Sequence, residues 1–180
     1  MSYRDEIVAA MNWLGEQPEF VAVGYNVCPS GGSAGGSIAG VPEDRRWEFP
    51  LAENLMCGAA IGLALDGKVP LIWLERADFV FCGLDAIVNH LQWIGELSGG
   101  QHKPAAIIRV CVGNKKAPLF TGVTHTQNPT EALKLLLPKM NVIALLHSTT
   151  IFTHYKLAYE AAKTGFSTVL VEQKDLYGNE

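Results

Sequence analysis

The chain has 180 residues, of which 48% are hydrophobic and 18% are charged, and its formal net charge is −4. This length allows one domain with a sizeable core and is short for two. The composition excludes a disordered chain and a basic nucleic-acid-binding protein, and no apolar stretch approaches the roughly 20 residues that a membrane-spanning helix needs. The sequence therefore predicts a single domain over residues 1–180, with neither nucleic acid nor membrane as a partner.

The first half of the chain alternates helical and strand patterns. A helix is predicted over residues 2–15, because Ile7, Met11 and Leu14 fall on one face, and a strand follows over residues 20–23. After a glycine-rich loop come a second helix and a second strand. Their predicted bounds are 53–65 and 69–74.

The second half continues the alternation. Apolar spacing of helical period over residues 84–97 predicts a long helix. The remaining predicted elements are a strand at 105–112, a short helix at 130–137, a strand at 142–146, a helix at 151–163 and a strand at 168–172. About five apolar strands, separated by helices, predict an α/β fold with a three-layer parallel sheet covered by helices on both faces.

The loop CPSGGSAGGSIAG, residues 28–40, follows a predicted strand, as a phosphate-binding loop would. It contains neither the G-x-G-x-x-G register nor G-K-[ST], so it is not a recognisable nucleotide motif. Two interpretations remain open. The segment is either a flexible surface loop, or it closes over a site or meets a partner chain.

Glu53 is a carboxylate at the start of a helix whose following residues are very small. In the simplest interpretation, the helix dipole stabilises an acid in the first turn by about 0.3–1 kcal/mol. However, Gly58, Ala59 and Gly62 would let the helix pack closely against another backbone. That packing predicts a buried Glu53 whose function is to exchange or share a proton.

The four cysteines are scattered with no C-x-x-C pair, and the N-terminus lacks the pattern of a signal peptide, which favours a reduced, cytoplasmic setting. No cysteine lies in a recognisable activating sequence, so a nucleophilic enzyme that pairs a cysteine with His125 is a weak alternative. The histidine spacing matches no metal-binding pair, and no metal ligand is predicted in this chain.

Several segments taken together resemble a known family. P-L-A-E-N at 50–54, with the small-residue helix after it, resembles the glutamate segment in the pyrimidine-binding domain of thiamine-diphosphate enzymes, which are transketolase-like. The likeness is greatest to the beta subunit of the decarboxylating component of the 2-oxoacid dehydrogenases. It continues in order through A-D-F-V-F at 77–81, G-L-D-A-I-V-N at 83–89, S-G-G-Q at 98–101, H-T-Q-N-P at 125–129 and E-Q-K-D-L-Y-G at 172–178.

The resemblance implies site residues and a cofactor, thiamine diphosphate. In that family the glutamate, here Glu53, hydrogen-bonds a ring nitrogen of the cofactor's aminopyrimidine and helps to generate its carbon nucleophile. Phe79 matches the aromatic residue that stacks on the aminopyrimidine, and Leu51 matches a residue that lines its pocket. His125 matches a histidine that faces the substrate; its alternative is a solvent-exposed loop position.

The sequence also departs from the family pattern. The loop at 113–120 lacks the glycine-rich, histidine-containing pattern of the relatives, which leaves substrate choice open. Arg76 replaces a residue that is usually uncharged; it faces either an acidic or phosphorylated substrate, or solvent or a partner chain. The chain stops at Glu180, where the beta subunits continue into a further C-terminal domain, so that domain is expected to be absent.

The G-D-G motif of the diphosphate-binding half does not occur in this sequence. The resemblance therefore implies a split active site, in which a separate diphosphate-binding subunit holds most of the contacts to Mg²⁺, in a two-plus-two heterotetramer. The expected function is that of a pyrimidine-binding subunit, inactive alone. With its partner it would act on a 2-oxoacid or ketose-like donor, by decarboxylation, by transfer of an acyl or aldehyde group, or by both. The alternative is a non-catalytic or regulatory subunit that retains the fold.

Overall fold

A parallel sheet forms the centre of the computed structural model, which describes residues 1–28, 35–116 and 122–178. The strands of this described part are β1 (Phe20–Gly24), β2 (Arg46–Glu48), β3 (Val69–Leu74), β4 (Ile107–Val112), β5 (Asn141–Ala144) and β6 (Thr168–Gln173). Their order across the sheet is β2-β1-β3-β4-β6-β5, and every neighbouring pair is parallel. The predicted α/β fold class is confirmed.

The strand that the sequence did not predict is β2, which pairs with β1 at one edge of the sheet. It has only three residues, two of them charged, so it carries no apolar run that periodicity could detect. Its Glu48 carboxylate accepts the N–H groups of Asn26, Val27 and Cys28 at 2.7–3.0 Å. The short strand thus fixes the turn that leads into the glycine-rich loop, of which residues 29–34 lie outside the described part.

The helices of the described residues are α1 (Tyr3–Gly15), α2 (Gly35–Ile38), α3 (Glu53–Leu65), α4 (Ile94–Leu97), α5 (Thr130–Leu136) and α6 (Ser148–Lys163). They agree with the sequence patterns except in two regions, of which one is α2, a four-residue helix inside the predicted glycine-rich loop. The continuous helix predicted over 84–97 is wrong, because a π-helix (Asp85–Leu91) replaces most of it and a turn separates it from α4. No helix of the described residues is long and apolar enough to cross a membrane.

The π-helix follows from a contact that periodicity does not encode. The Gln92 N–H donates to the Ile87 carbonyl, five residues back, at 3.1 Å. At its start, the Ala86 N–H donates to the side-chain oxygen of Asn54 on α3 at 3.3 Å. A 3₁₀ turn (Ala77–Gly83) precedes the π-helix. The segment is therefore fitted to the start of α3, where Glu53 lies.

Two apolar layers cover the sheet, as a three-layer α/β fold requires. On one face, the buried residues of α1 and α6 pack against side chains such as Leu71, Ile107 and Leu170. On the other face, α3 and the 77–91 segment pack against Ile72, Ile108 and their neighbours. Consecutive strand residues alternate between the two layers, so both faces of the central strands are buried.

A buried ion pair joins the two strands β4 and β6. The Arg109 guanidinium donates to both carboxylate oxygens of Glu172, at 2.9 and 3.2 Å, and both side chains have no exposed surface. Tyr155 and Tyr177 also donate their hydroxyls to Glu172, and Arg109 donates to the Ser37 hydroxyl of α2. Burial and the Glu172 charge raise the pKa of both tyrosines, so they remain protonated donors.

Arg109→Ala should destabilise the fold strongly. Removing one partner of a buried ion pair leaves the other charge uncompensated, which typically costs about 3–5 kcal/mol. Urea denaturation of the variant and the parent chain measures this loss. The control is Lys134→Ala, which removes an ion pair between surface side chains, Lys134 and Glu131, and should change the free energy of unfolding far less. Equal effects of the two variants would contradict the structural role of the buried pair.

Candidate functional site

A pocket at the carboxyl ends of β1 and β3 brings together the residues that the sequence singled out. In parallel α/β sheets this edge is where ligands bind. Leu51, Glu53 and Phe79 all line the pocket, although they come from a loop, a helix start and a 3₁₀ turn. The full lining set is Tyr25, Leu51, Glu53, Met56, Trp73, Leu74, Glu75 and Phe79. The pocket therefore offers carboxylates and aromatic rings on a largely apolar wall.

Glu53 is the first residue of α3 and is half-buried. The helix has no side-chain cap at its N-terminus, so the carboxylate lies beside the uncompensated N–H groups of the first turn. The expectation of a buried Glu53 is wrong for this chain. A Cβ added at Gly58 or Gly62 would meet nothing within 4 Å, so these two glycines are not packed against another backbone within the described residues.

Phe79 is half-buried in the 3₁₀ turn that follows β3. Close packing of this turn against α3 sets the position of the ring: a Cβ at Gly83 would lie only 2.8 Å from the Cys57 sulfur. Glycine at position 83 lets the two segments approach to this distance. The contact thereby fixes Phe79 relative to Glu53.

His125 lies against Phe79, with ring centroids 5.2 Å apart in an edge-to-face arrangement. The histidine is half-buried, which disagrees with the alternative of a solvent-exposed loop position. Its loop is held by Asp78, whose carboxylate accepts the Gln127 N–H at 3.2 Å. Glycine at position 113 also lets the His125 backbone come close to β4, because a Cβ there would lie 1.9 Å from the His125 carbonyl oxygen.

Some candidate functional residues were not predicted from the sequence. Glu75, which follows β3 directly, places a second carboxylate on the pocket wall, and Tyr25 and Trp73 add aromatic surface. The available signal was position, since Glu75 and Tyr25 both come directly after a strand at the carboxyl edge. Arg76 is only 8% exposed, so the interpretation of a solvent-facing arginine is wrong.

The two buried cysteines, Cys57 and Cys111, give little support to a nucleophilic enzyme. Burial, together with the nearby Glu53 charge, raises the pKa of Cys57 to about 12. Burial likewise raises the pKa of Cys111 to about 12. Both thiols are therefore protonated at neutral pH and are poor nucleophiles. His125 makes its ring contact with Phe79 instead.

The fold and this pocket define an α/β domain with a candidate site at the carboxyl edge of a parallel sheet. A family model described as the transketolase pyrimidine-binding domain matches residues 1–180. The chain therefore belongs to the transketolase pyrimidine-binding-domain family, which confirms the resemblance seen in the sequence.

Individual relatives cover most of this chain but only part of their own length. The beta subunit of acetoin:2,6-dichlorophenolindophenol oxidoreductase from Cupriavidus necator is 27% identical over 175 residues, which cover 91% of this chain and 50% of that protein. The mitochondrial 2-oxoisovalerate dehydrogenase subunit beta of Dictyostelium discoideum is 34% identical over 133 residues, covering 66% of this chain and 35% of that protein. The chain thus spans half or less of the length of these relatives.

A solved structure described as a split-gene transketolase, an inactive beta4 tetramer, has a TM-score of 0.73 to this chain at 20% identity. The match covers 97% of this chain and 52% of that one. At this identity the likeness supports the fold alone. The sheet and its helices are those of a transketolase-like domain.

Gly113→Ala should displace His125 from Phe79, because the added methyl group would overlap the His125 carbonyl. The imidazole proton chemical shifts report this displacement, since the neighbouring aromatic ring contributes to them. We expect the variant to shift these resonances towards those of a Phe79→Leu chain, which lacks the ring. Gly62→Ala is the matched control, because its methyl group would enter open space. Unchanged His125 resonances in Gly113→Ala would contradict the described contact.

Proposed function

We propose that this chain supplies the pyrimidine-binding half of an active site in a thiamine-diphosphate-dependent enzyme. The observation that carries the proposal is the pocket in which Leu51, Glu53 and Phe79 meet. Phe79 is distant in sequence from Leu51 and Glu53, and each of the three matches a position with a role toward the cofactor in the family. Their meeting at the carboxyl edge of a parallel sheet agrees with a common ligand.

The residues of the pocket fit the aminopyrimidine ring of the cofactor. Phe79 offers a flat ring for stacking, and the Glu53 carboxylate offers a hydrogen-bond partner for a ring nitrogen. Leu51 lines the pocket while 65% of its surface is exposed, so a ligand or partner chain that covers it would gain hydrophobic contact. When bound, thiamine diphosphate supplies a carbon nucleophile that attacks a substrate carbonyl group.

Glu53 is proposed to hold and transfer the proton at the pyrimidine nitrogen. Its position at the positive end of α3 keeps the carboxylate available as a hydrogen-bond acceptor, and its partial exposure leaves it accessible to a ligand. Contact with a cofactor and a partner chain would complete its burial. In the assembled site, the lower dielectric would strengthen its interaction with the ring.

His125 is proposed to face the substrate. The edge-to-face contact with Phe79 fixes its ring next to the stacking residue, and Thr124 Oγ1 lies 3.1 Å from its Nδ1. A histidine in this place can donate a hydrogen bond or a proton to an oxyanion that develops on the substrate. The loop at 113–120 would contribute to substrate choice, and its residues 117–120 lie outside the described part.

The other half of the site is proposed to come from a separate chain that binds the diphosphate and most of the Mg²⁺ ligands. Two observations support this division. The sequence has no G-D-G motif, and the face of α3 beside the pocket is open, with Leu55 54% exposed next to the small residues Gly58 and Gly62. Both named relatives are beta subunits, and a two-plus-two heterotetramer would place two equivalent sites between chains.

The substrate is proposed to be a 2-oxoacid or a ketose-like donor. The names of the relatives include a 2-oxoisovalerate dehydrogenase and an acetoin oxidoreductase, and the matching family model is that of a transketolase domain. 2-Oxoisovalerate, acetoin and the ketose donors of a transketolase all carry a ketone carbonyl group. The proposed reaction is therefore cleavage next to that carbonyl group, with transfer of the resulting acyl or aldehyde fragment.

Glu53→Gln should leave cofactor binding largely intact but slow proton exchange at the cofactor's reactive carbon. Loss of a general acid–base group typically slows the catalysed step by about 10²–10⁴-fold. Glutamine keeps the size of the side chain and its ability to form a hydrogen bond. Hydrogen–deuterium exchange at that carbon, measured in the complex with the partner chain, reports the rate.

The matched control is Glu75→Gln, which removes the other carboxylate of the same pocket. The proposal predicts a much smaller effect for this variant. An unchanged exchange rate in Glu53→Gln, or a loss confined to Glu75→Gln, would remove Glu53 from the proposed role.

The chain alone should bind thiamine diphosphate negligibly, because the groups that hold the diphosphate lie on another polypeptide. Calorimetric titration of thiamine diphosphate and Mg²⁺ into the lone chain, and into its complex with a co-expressed chain that carries a G-D-G motif, measures the difference. Tight binding to the lone chain would contradict the split site. Absence of binding to the complex would contradict the proposed cofactor.

A pair of surface variants tests where the partner binds. Leu55→Asp places a charge on the open face of α3 and should prevent assembly of the complex. Leu157→Asp on α6 is the control, since this leucine is similarly exposed, at 59%. Assembly of both variants to the same extent would contradict the proposed interface.

A further inference from the structure

A second cavity lies at the amino ends of the strands, on the edge of the sheet opposite the Glu53 pocket. Its volume is about 240 Å³. It is lined by residues just before β1, β3 and β4 and by the last residues of α3 and α6, with buried Val69, Ala105 and Ala162 as an apolar wall. Pockets for drug-sized ligands typically measure about 300–1,000 Å³, so this cavity suits a smaller molecule.

Four charged residues from separate segments line this cavity. Three are basic, Lys68, Lys103 and Lys163, and one is acidic, Glu19. Tyr159 donates its hydroxyl to the Glu19 carboxylate at 2.8 Å. This hydrogen bond, together with the charges of Lys163 and Lys68, holds the pKa of Glu19 below its usual value, so the carboxylate is ionised at neutral pH. The lining residues therefore carry three positive charges and one negative charge.

Two helix-ending turns fix the backbone around the three lysines. Gly67, at φ 84°, ends α3, and the N–H of Lys68 donates to a carbonyl five residues back at 3.0 Å. Gly165, at φ 87°, ends α6 in the same way just after Lys163. A Cβ added at Gly165 would lie only 2.7 Å from the Lys103 Cβ, so the segment before β4 is held against this second turn. The cavity is thus a part of the packed fold.

The simplest alternative is that the lysines compensate the negative ends of α3 and α6. It accounts for at most two of them, because Lys103 belongs to neither helix. The capping turns also supply N–H donors to the last carbonyls of both helices. None of the three lysines forms an ion pair with a described residue, and the nearby exposed acids Asp66 and Glu160 are not among the lining residues. Their ammonium groups therefore remain available to a ligand.

We propose that this cavity binds a small dianion, either a phosphate monoester or a dicarboxylate. The excess of two positive charges among the lining residues matches a ligand charge of about −2. Ammonium groups from three segments can donate hydrogen bonds to separate oxygen atoms of one ligand, and the fixed Glu19 carboxylate repels anions of higher charge. The cavity and the Glu53 pocket lie at opposite edges of the sheet, so the inference does not depend on the proposed function.

Thermal unfolding of the full chain tests the dianion site. Glycerol phosphate or succinate is added at about pH 8, where both carry two charges, and sodium chloride keeps the ionic strength constant. Binding should raise the Tm by about 3–5 °C for each tenfold increase in free dianion above its dissociation constant. A response to glycerol phosphate alone identifies a phosphate monoester site, a response to succinate alone identifies a dicarboxylate site, and a response to both identifies a site for either.

Acetate is the matched control ligand, because it has the carboxylate chemistry of succinate but only one charge. It should have little effect on the Tm at the same concentration. No response to either dianion overturns the proposal, and so does a response to acetate as large as that to the dianions.

The double variant Lys68→Gln/Lys163→Gln removes two exposed ammonium groups of the cavity. It should remain folded and should lower the dianion affinity by at least about tenfold, because hydrogen bonds to charged groups are lost. The control is Lys156→Gln, which removes an exposed lysine elsewhere on α6 and should keep the response of the parent chain. Equal losses in the two chains would indicate a general effect of net charge and overturn the proposal.

Glu19→Gln gives a prediction of the opposite sign. Glutamine keeps an oxygen that accepts the Tyr159 hydroxyl but removes the negative charge, so the dianion affinity should rise by about threefold or more as the repulsion is lost. In the parent chain, the backbone amide resonances of Gly67 and Gly165 should shift on titration with the dianion that raises the Tm. An affinity that Glu19→Gln leaves unchanged or lowers, or amide resonances that do not move at saturating dianion, would place binding outside this cavity and overturn the proposal.

Discussion

The buried ion pair of Arg109 and Glu172 is the interaction on which the arrangement of the sheet's carboxyl edge depends. It removes two charges from water, so its neighbours must supply the lost hydrogen bonds. Tyr155 of α6, Tyr177 near the C-terminus and Ser37 of α2 do so, and the Arg109 guanidinium also lies 4.4 Å from the centre of the Trp73 ring. One pair thereby connects α2, α6 and the C-terminal turn to β3, β4 and β6. Trp73 also lines the candidate pocket, so this connection extends to the site.

The candidate site combines a rigid frame with an open side. Phe79 is positioned through the Gly83 contact with Cys57, and His125 is positioned through Gly113 and Asp78. By contrast, Leu51 and Leu55 remain exposed beside Glu53. A pocket with fixed polar groups and uncovered apolar neighbours is the arrangement expected of a site that a second chain completes. This physical contrast is the basis for proposing a split active site.

The sequence predicted the elements whose signals are local. The helix at 53–65 and the strand at 69–74 agree with the observed α3 and β3, because Asp66-Gly67 ends the helix and an apolar run follows it. The short charged strand β2 and the π-helix were missed, since the first depends on pairing with β1 and the second on contacts with α3. The burial of Glu53 was wrong because a small-residue helix predicts close packing without saying whether the partner lies in the same chain.

The candidate site, like the fold, could be predicted from the sequence only in part. The resemblance named Leu51, Glu53 and Phe79, and the structure brings them into one pocket, whereas Glu75 and the burial of Arg76 depend on tertiary packing. The most direct measurement is a structure of this chain with a G-D-G-containing partner, thiamine diphosphate and Mg²⁺. The account predicts a Glu53 carboxylate oxygen within hydrogen-bond distance of the pyrimidine nitrogen and the Phe79 ring against the pyrimidine. A pyrimidine held by Glu75 instead, or bound away from this pocket, would contradict it.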